Sequence, residues 1–216
     1  MQIVHQNWWF GFIDEETFGL RQLEMLERIG RVCYKSEENI KPGTAEKFVS
    51  KIIENGHESV LEHAGVTVNI ISDRGVTHEL VRHRLASYSQ ESTRYCNYGN
   101  KGMTVIEPVQ FYEEGHETMR LPNRYVARVI WMNAMKDAEN HYMAMLADGC
   151  PPELARSVLP NSLKTEIVMT ANFREWRHVF KLRCSRKAHP QMRSLMRDMH
   201  KRFKKVIPVI FDDIKY

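Results

Sequence analysis

Residues 82–95 read Arg-His-Arg-Leu-Ala-Ser-Tyr-Ser-Gln-Glu-Ser-Thr-Arg-Tyr, and this segment restricts what the chain can fold into more than any other. Arg82, His83 and Arg84 stand in a row, a polar run follows, and Leu85 is its one long hydrocarbon side chain. A packed core cannot take up such a segment without partners, because desolvating an unpaired guanidinium is strongly unfavourable. An anionic ligand is the economical explanation, and Arg is the side chain best suited to bidentate recognition of phosphate. If residues 75–84 are helical, as Val76 and Leu80 indicate, Arg82 and Arg84 point roughly 160° apart at about 100° per residue. They then serve two ligands, or two parts of one, and Glu79 lies one turn before Arg82, placed to orient it. The run holding Ser87, Ser89, Gln90, Ser92 and Arg94 has neither Gly-x-Gly-x-x-Gly nor Walker spacing, so a phosphate site here is built from side chains and loop amides.

The periodicity around this segment mixes helices and strands. Asp14 caps a helix reaching to about Val32, with Leu23, Leu26 and Ile29 on its apolar side. Thr44 opens a second helix that Gly56 stops. Val66, Val68 and Ile70 alternate with polar residues, as in a half-buried strand. A long helix spans 123–148, striped by Met135, Ala138, Tyr142 and Met145. Residues 165–172 are extended, and a helix follows to about Cys184. The last helix starts at Pro190 and buries Met192, Leu195, Met196, Met199 and Phe203. Without a regular βαβ rhythm, the pattern indicates an α+β fold. With no linker or low-complexity tract, residues 1–216 are expected to form a single domain.

At 216 residues, 43% hydrophobic, the chain is expected to build a sizeable core. A formal net charge of +4 is too mild to indicate nucleic acid by itself. No apolar run reaches transmembrane length, so no membrane partner is expected. Cys33, Cys96, Cys150 and Cys184 lie far apart without Cys-x-x-Cys spacing, which indicates reduced thiols, no metal site and a cytoplasmic location.

Other constellations are weaker. His57-Glu58-Ser59-Val60-Leu61-Glu62-His63 departs from His-Glu-x-x-His, which needs its second His at the position of Leu61, so a ring and hydroxyl lining a pocket is the better reading than zinc. Asn172-Phe173-Arg174 with His178, Arg183 and His189 gathers polar groups near a helix whose C-terminus favours cations on electrostatic grounds alone. Cys150 beside two prolines has no base in its neighbourhood, and Ser92 has no Ser-His-Asp setting. A nucleotide- or RNA-binding protein without catalysis remains an alternative, as does a nucleotide-binding oxidoreductase. The lack of a clustered aromatic and basic stacking platform counts against RNA.

Arg82-His83-Arg84, seven residues and then Ser92 resembles the Arg-His-Arg-x7-Ser signature of flavin-dependent thymidylate synthases. His57-Glu58-Ser59 with Glu62-His63, Ala155-Arg156 with Leu159-Pro160, Asn172 to Arg174, Leu182-Arg183 and His189-x-Gln191 resemble further segments of that family in the same order. The resemblance implies a homotetramer of mixed helices and a mainly antiparallel sheet, with FAD and dUMP sites shared between subunits. It implies reductive methylation of dUMP to dTMP, with 5,10-methylenetetrahydrofolate as carbon donor, NADPH as reductant and no enzyme nucleophile on the uracil ring. Carried over by position, His57, Ser59, Arg82, His83, Arg84, Gln90, Asn172, Arg174 and His178 would contact FAD. Glu79, Arg82, Gln90, Ser92, Arg94, Arg156 and Arg183 would hold dUMP, with Arg183 catalytic through stabilisation of negative charge at the uracil edge.

Overall fold

The computed structural model describes residues 1–11, 13–112 and 122–216. Four strands form one sheet in the order β2 (Asn7–Phe10), β3 (Gly65–Asp73), β6 (Lys164–Asn172), β4 (Ala86–Gln90), and β1 (Gln2–Val4) pairs with β5 (Thr104–Ile106). The side chains set the sense of pairing. The Thr67 and Thr170 hydroxyls meet at 2.8 Å, and the Phe173 N–H donates to the Ala64 carbonyl at 2.8 Å, so β3 and β6 run antiparallel. The Gly11 N–H on the Thr67 carbonyl and Ser72 against Gln6 make β2 and β3 antiparallel as well. The β1–β5 pair is parallel, with Ile3 opposite Val105. The expected alternation in β3 holds: Val66, Val68, Ile70 and Ser72 are buried and the residues between them are not. Gly65 is required where β3 starts, since a Cβ there would stand 2.4 Å from the Ala171 carbonyl oxygen.

The chain divides into two compact units, each discontinuous in sequence. The first comprises residues 1–8, 69–82 and 88–168. It holds the β1–β5 pair, α3 (Arg74–Leu80), α4 (Arg124–Ala147) and α5 (Pro152–Ala155). Met103, Val105, Met135 and Leu163 form a buried cluster there, flanked by Ile3, Tyr98 and Trp131. Helix α4 matches the expected span, but only Met135 and Tyr142 of its stripe are buried. Tyr125, Val126, Val129 and Ile130 near its start are exposed.

The second unit comprises residues 9–68, 83–87 and 169–216. It holds α1 (Glu15–Val32), α2 (Thr44–Glu54), α6 (Phe173–Arg183), α7 (Pro190–Val206) and α8 (Pro208–Phe211). Asp14 caps α1 as expected, its carboxylate accepting the Glu16 N–H, and Gly56 takes a positive φ just past α2. The core is aromatic: Phe180 packs against Trp176, Phe203 and Phe211 at centroid distances of 4.9–5.8 Å. The indole N–H of Trp176 donates to the Val66 carbonyl, which satisfies the one polar atom of the ring.

Two sequence expectations fail locally. The helix expected over 75–84 ends at Leu80, so Arg82 lies in a turn and His83 and Arg84 lie outside any helix or strand, and the helical-wheel angle between the two arginines does not apply. Residues 86–90, expected as loop, form β4, a strand whose small polar residues hide its alternation.

Arg177 is 2% exposed and secured by Asp213 through two bonds of 2.6 Å, by Glu58 and by the Ile210 carbonyl. This clasp joins α6 to the C-terminal turn, and the bidentate contact holds the Asp213 carboxyl below its usual range. Arg177→Met should lower unfolding free energy by about 3 kcal/mol, because it strands the carboxylates that Arg177 compensates. Denaturant midpoints would measure this, and a change under about 0.5 kcal/mol would refute the clasp.

Candidate functional site

In the second unit the expected site residues gather around α6. Strand β6 ends at Asn172, whose side-chain oxygen accepts the Glu175 N–H at 2.9 Å and so starts the helix. The apolar face of α6, with Phe173, Trp176, Val179 and Phe180, is buried. Arg174 and His178 are left exposed, and Arg174 pairs with Glu62. Arg174, His178, Asn172, Lys181, Leu85 and Glu58 line an open cleft of about 500 Å³.

His83 lies behind these groups, its side chain 3% exposed. Its Nδ1 is 3.1 Å from the Glu175 carboxylate. Its Nε2 accepts from Arg183 Nε at 3.0 Å. Arg183 has no acceptor atom, so Nε2 must be bare and the ring proton sits on Nδ1, donated to Glu175. Burial, then the charge of Arg183, then His178 hold the His83 pKa at about 4, so the ring is neutral at physiological pH. Burial raises the Glu175 carboxyl, against a smaller opposing effect of His178. His83, Glu175 and His178 each bring a ligand atom within 4.8 Å of the others. Both nitrogens of His83 are nevertheless committed, and a metal would have to displace Glu175 or the Arg183 guanidinium.

Arg84, next to His83, is exposed. His57 and Ser59 lie at the start of the turn at Glu58–His63, both exposed. The His57 ring bonds the Tyr34 hydroxyl at 3.1 Å. A second cleft of about 580 Å³ includes Arg31, Tyr34, Lys47, Phe48, Lys51 and His57.

The other expected residues belong to the first unit. The Ser92 hydroxyl accepts the Arg94 N–H, and its carbonyl accepts from Tyr95 and Cys96, forming a tight turn. Arg156 donates to Thr93 within that turn, and Arg94 lies 3.7 Å from Glu153. The structure thus brings Ser92, Arg94 and Arg156 together. The Gln90 amide nitrogen is shared between the Thr77 and Thr165 hydroxyls, a structural use that sequence reading missed. Glu79 and Arg82 are joined by a main-chain bond of 3.3 Å at the end of α3.

Glu175, Lys181 and Tyr34 were missed altogether. Glu175 stands three residues after the cap Asn172, where an acidic residue is read as a capping box; its contact with His83, ninety-two positions away, leaves no local signal.

Comparison with known proteins fits this arrangement. Residues 20–209 match the family model described as thymidylate synthase complementing protein. The chain is 38% identical over 192 residues to the flavin-dependent thymidylate synthase of Geobacter sulfurreducens, covering 85% of this chain and 78% of that protein. It is 37% identical over 202 residues to that of Mycolicibacterium gilvum, covering 88% and 79%. The structure of a UMP/dUMP methylase, PolB from Streptomyces cacaoi, bound with 5-Br dUMP, superposes with a TM-score of 0.79 over 98% of this chain and 96% of that one, at 18% identity. The fold is therefore shared, and a match of this extent means that the chain belongs to the thymidylate synthase complementing protein family.

Proposed function

We propose that this protein is a flavin-dependent thymidylate synthase that methylates dUMP to dTMP, with FAD as cofactor, 5,10-methylenetetrahydrofolate as carbon donor and NADPH as reductant. The observation that carries this reading is the bond between Arg183 and His83, which joins two family-motif residues a hundred positions apart at a neutral, buried imidazole. The chain weaves between its two units, so neither is a contiguous segment, which supports reading residues 1–216 as one domain.

The donor set around α6 suits a flavin nucleotide. Arg174, Lys181 and His178 supply cationic or hydrogen-bonding groups for phosphates, Asn172 an amide, and Leu85 an apolar wall. We assign His57, Ser59, Arg82, His83, Arg84, Gln90, Asn172, Arg174 and His178 to FAD, and Glu79, Arg82, Gln90, Ser92, Arg94 and Arg156 to dUMP together with Arg183. When bound, the flavin supplies reducing equivalents and mediates carbon transfer. The protein's task is then electrostatic. Ser92 and Arg94, with Arg156 beside them through Thr93, present hydroxyl and guanidinium groups suited to a nucleotide phosphate. Arg183, with Nε anchored on His83, stabilises negative charge at N3 and O2 of the uracil and makes the ring carbon more nucleophilic.

The exposed Tyr125, Val126, Val129 and Ile130 on one side of α4 support a homotetramer, because a monomer gains nothing by leaving them in water. No helix of the described residues is long and apolar enough to cross a membrane; with the widely spaced cysteines this supports a cytoplasmic enzyme without a membrane partner. Binding of nucleotide rather than nucleic acid is supported by the mild net charge and by the lack of a clustered aromatic and basic stacking platform in the sequence.

Purified protein supplied with FAD should show a bound-flavin spectrum that shifts on adding dUMP, and should form dTMP once folate donor and NADPH are present. Failure to bind flavin would overturn the assignment. Arg183→Ala should keep FAD and lose on the order of 10²- to 10³-fold in dTMP formation; unchanged turnover would remove Arg183 from catalysis.

The depressed His83 pKa also fixes a pH dependence. A group protonated more readily unfolded than folded gives stability that is complete above its unfolded pKa near 6.5 and is lost as pH falls through about 4. The loss should amount to roughly 3 kcal/mol at most, and His83→Gln should flatten it; parallel pH profiles for the two proteins would contradict the buried neutral ring.

Sedimentation velocity should give four copies, with Ile130→Glu dissociating them and releasing FAD. A flavin-loaded monomer would refute sites shared between subunits.

A further inference from the structure

We infer that Glu175 is a positioning residue for methyl transfer, acting on Arg183 through the tautomer of His83. The inference rests on the role proposed above for Arg183, and it concerns a residue that no sequence motif singled out.

Glu175 is 6% exposed, in the first turn of α6, and Arg183 sits in the last turn of the same helix. Two turns of helix separate their backbones, and His83 bridges their side chains through bonds of 3.1 and 3.0 Å. The order of donors along this bridge is forced. Arg183 Nε can only donate, so Nε2 of His83 must accept. A neutral imidazole carries one N–H, which must then be on Nδ1 and needs an acceptor, and the Glu175 carboxylate is that acceptor. The ring has little freedom to answer in another way, because its side chain is almost fully buried and it lies edge-on to His178 at 5.6 Å.

Loss of the carboxylate removes what selects the tautomer. With the proton on Nε2, an N–H would face the N–H of Arg183, and the guanidinium would have to turn away. Arg183 then presents its planar fork at a different angle to any ligand. The energetic logic is that of a buried carboxylate that orients a catalytic imidazole, with the guanidinium one step further on as the group that acts. Helix geometry supports the same role. Anchoring Nε holds a long, flexible side chain at the end of a helix, where the next residues, from Cys184 on, leave the helical path.

The test uses the FAD-loaded enzyme. Glu175→Gln preserves shape and can offer its amide N–H to Nδ1, which favours the wrong tautomer. It should lower kcat for dTMP formation on the order of 10- to 100-fold while FAD content and melting temperature stay near wild type. ¹⁵N NMR of the His83 ring should move from the Nδ1–H to the Nε2–H pattern, a change that a merely structural role would not produce. In the Arg183→Ala background Glu175→Gln should add little further loss, because both act through one guanidinium. Wild-type kcat for Glu175→Gln, an unmoved ¹⁵N pattern, or losses that multiply in the double variant would overturn the inference. If Arg183→Ala alone keeps full turnover, it is the role of Arg183 that fails, which separates the two. Should Glu175→Gln not fold, Glu175→Asp carries the question. It keeps the charge one methylene short of the ring, and it should lower kcat with KM for dUMP unchanged; full kcat would again overturn the inference.

Discussion

The joint between β6 and α6 is the constraint on which the site depends. One side chain, Asn172, ends the strand and caps the helix, and the Phe173 N–H is tied to the Ala64 carbonyl, so the first turn of α6 is fixed to the start of β3. From that point the 3.6-residue period decides what goes where. Phe173, Trp176, Val179 and Phe180 bury into the aromatic core, and Arg174 and His178, one turn apart, are left on the open side. The cleft is therefore a by-product of burying the opposite face, and its geometry is as rigid as that core.

Burial of charge on the same helix needed separate solutions at two points. Arg177 faces inward and is compensated by Glu58, Asp213 and a carbonyl, a set of acceptors that matches the five donors of a guanidinium. Glu175, two residues earlier, is also buried and is compensated by a neutral imidazole instead. The difference matters electrically. A cationic partner would draw Glu175 into a closed ion pair, whereas neutral His83 transmits orientation and leaves the positive charge with Arg183. His178 and Arg183 both repel a proton from the ring, so the arrangement enforces its own neutrality.

The sequence revealed the parts of this structure that carry local signals. The cap Asp14, the stop at Gly56, the alternation of Val66, Val68 and Ile70, the span of α4 and the Met-rich stripe of α7 all appear where the sequence placed them. The end of α3 was misread because Arg82 and Arg84 are ordinary helix formers, and only tertiary contacts stop the helix at Leu80. Strand β4 was missed because Ser87, Ser89 and Gln90 carry no apolar alternation; pairing with β6 makes it a strand. In the site, Arg183 and His83 were legible as motif members, yet the bond between them and the carboxylate behind it are long-range facts that no spacing encodes. Gln90 shows the converse, a residue marked for ligands whose amide nitrogen is engaged by Thr77 and Thr165.

Cys184, next in sequence to Arg183, shows how burial affects a potential nucleophile. Burial pushes the Cys184 thiol up to about 12, despite the nearby charge of Arg197. Arg197 is itself turned to the Cys184 carbonyl rather than to the sulfur. At neutral pH that sulfur is a small apolar filler at the end of α6, adjacent in sequence to Arg183, whose guanidinium is anchored on the neutral His83 ring. The same helix terminus could have activated a nucleophile by aiming cations at the thiol, and it aims the cation elsewhere. The surroundings thus suppress a nucleophilic role for this thiol, which agrees with the role proposed for Arg183, polarisation of the substrate by a held guanidinium.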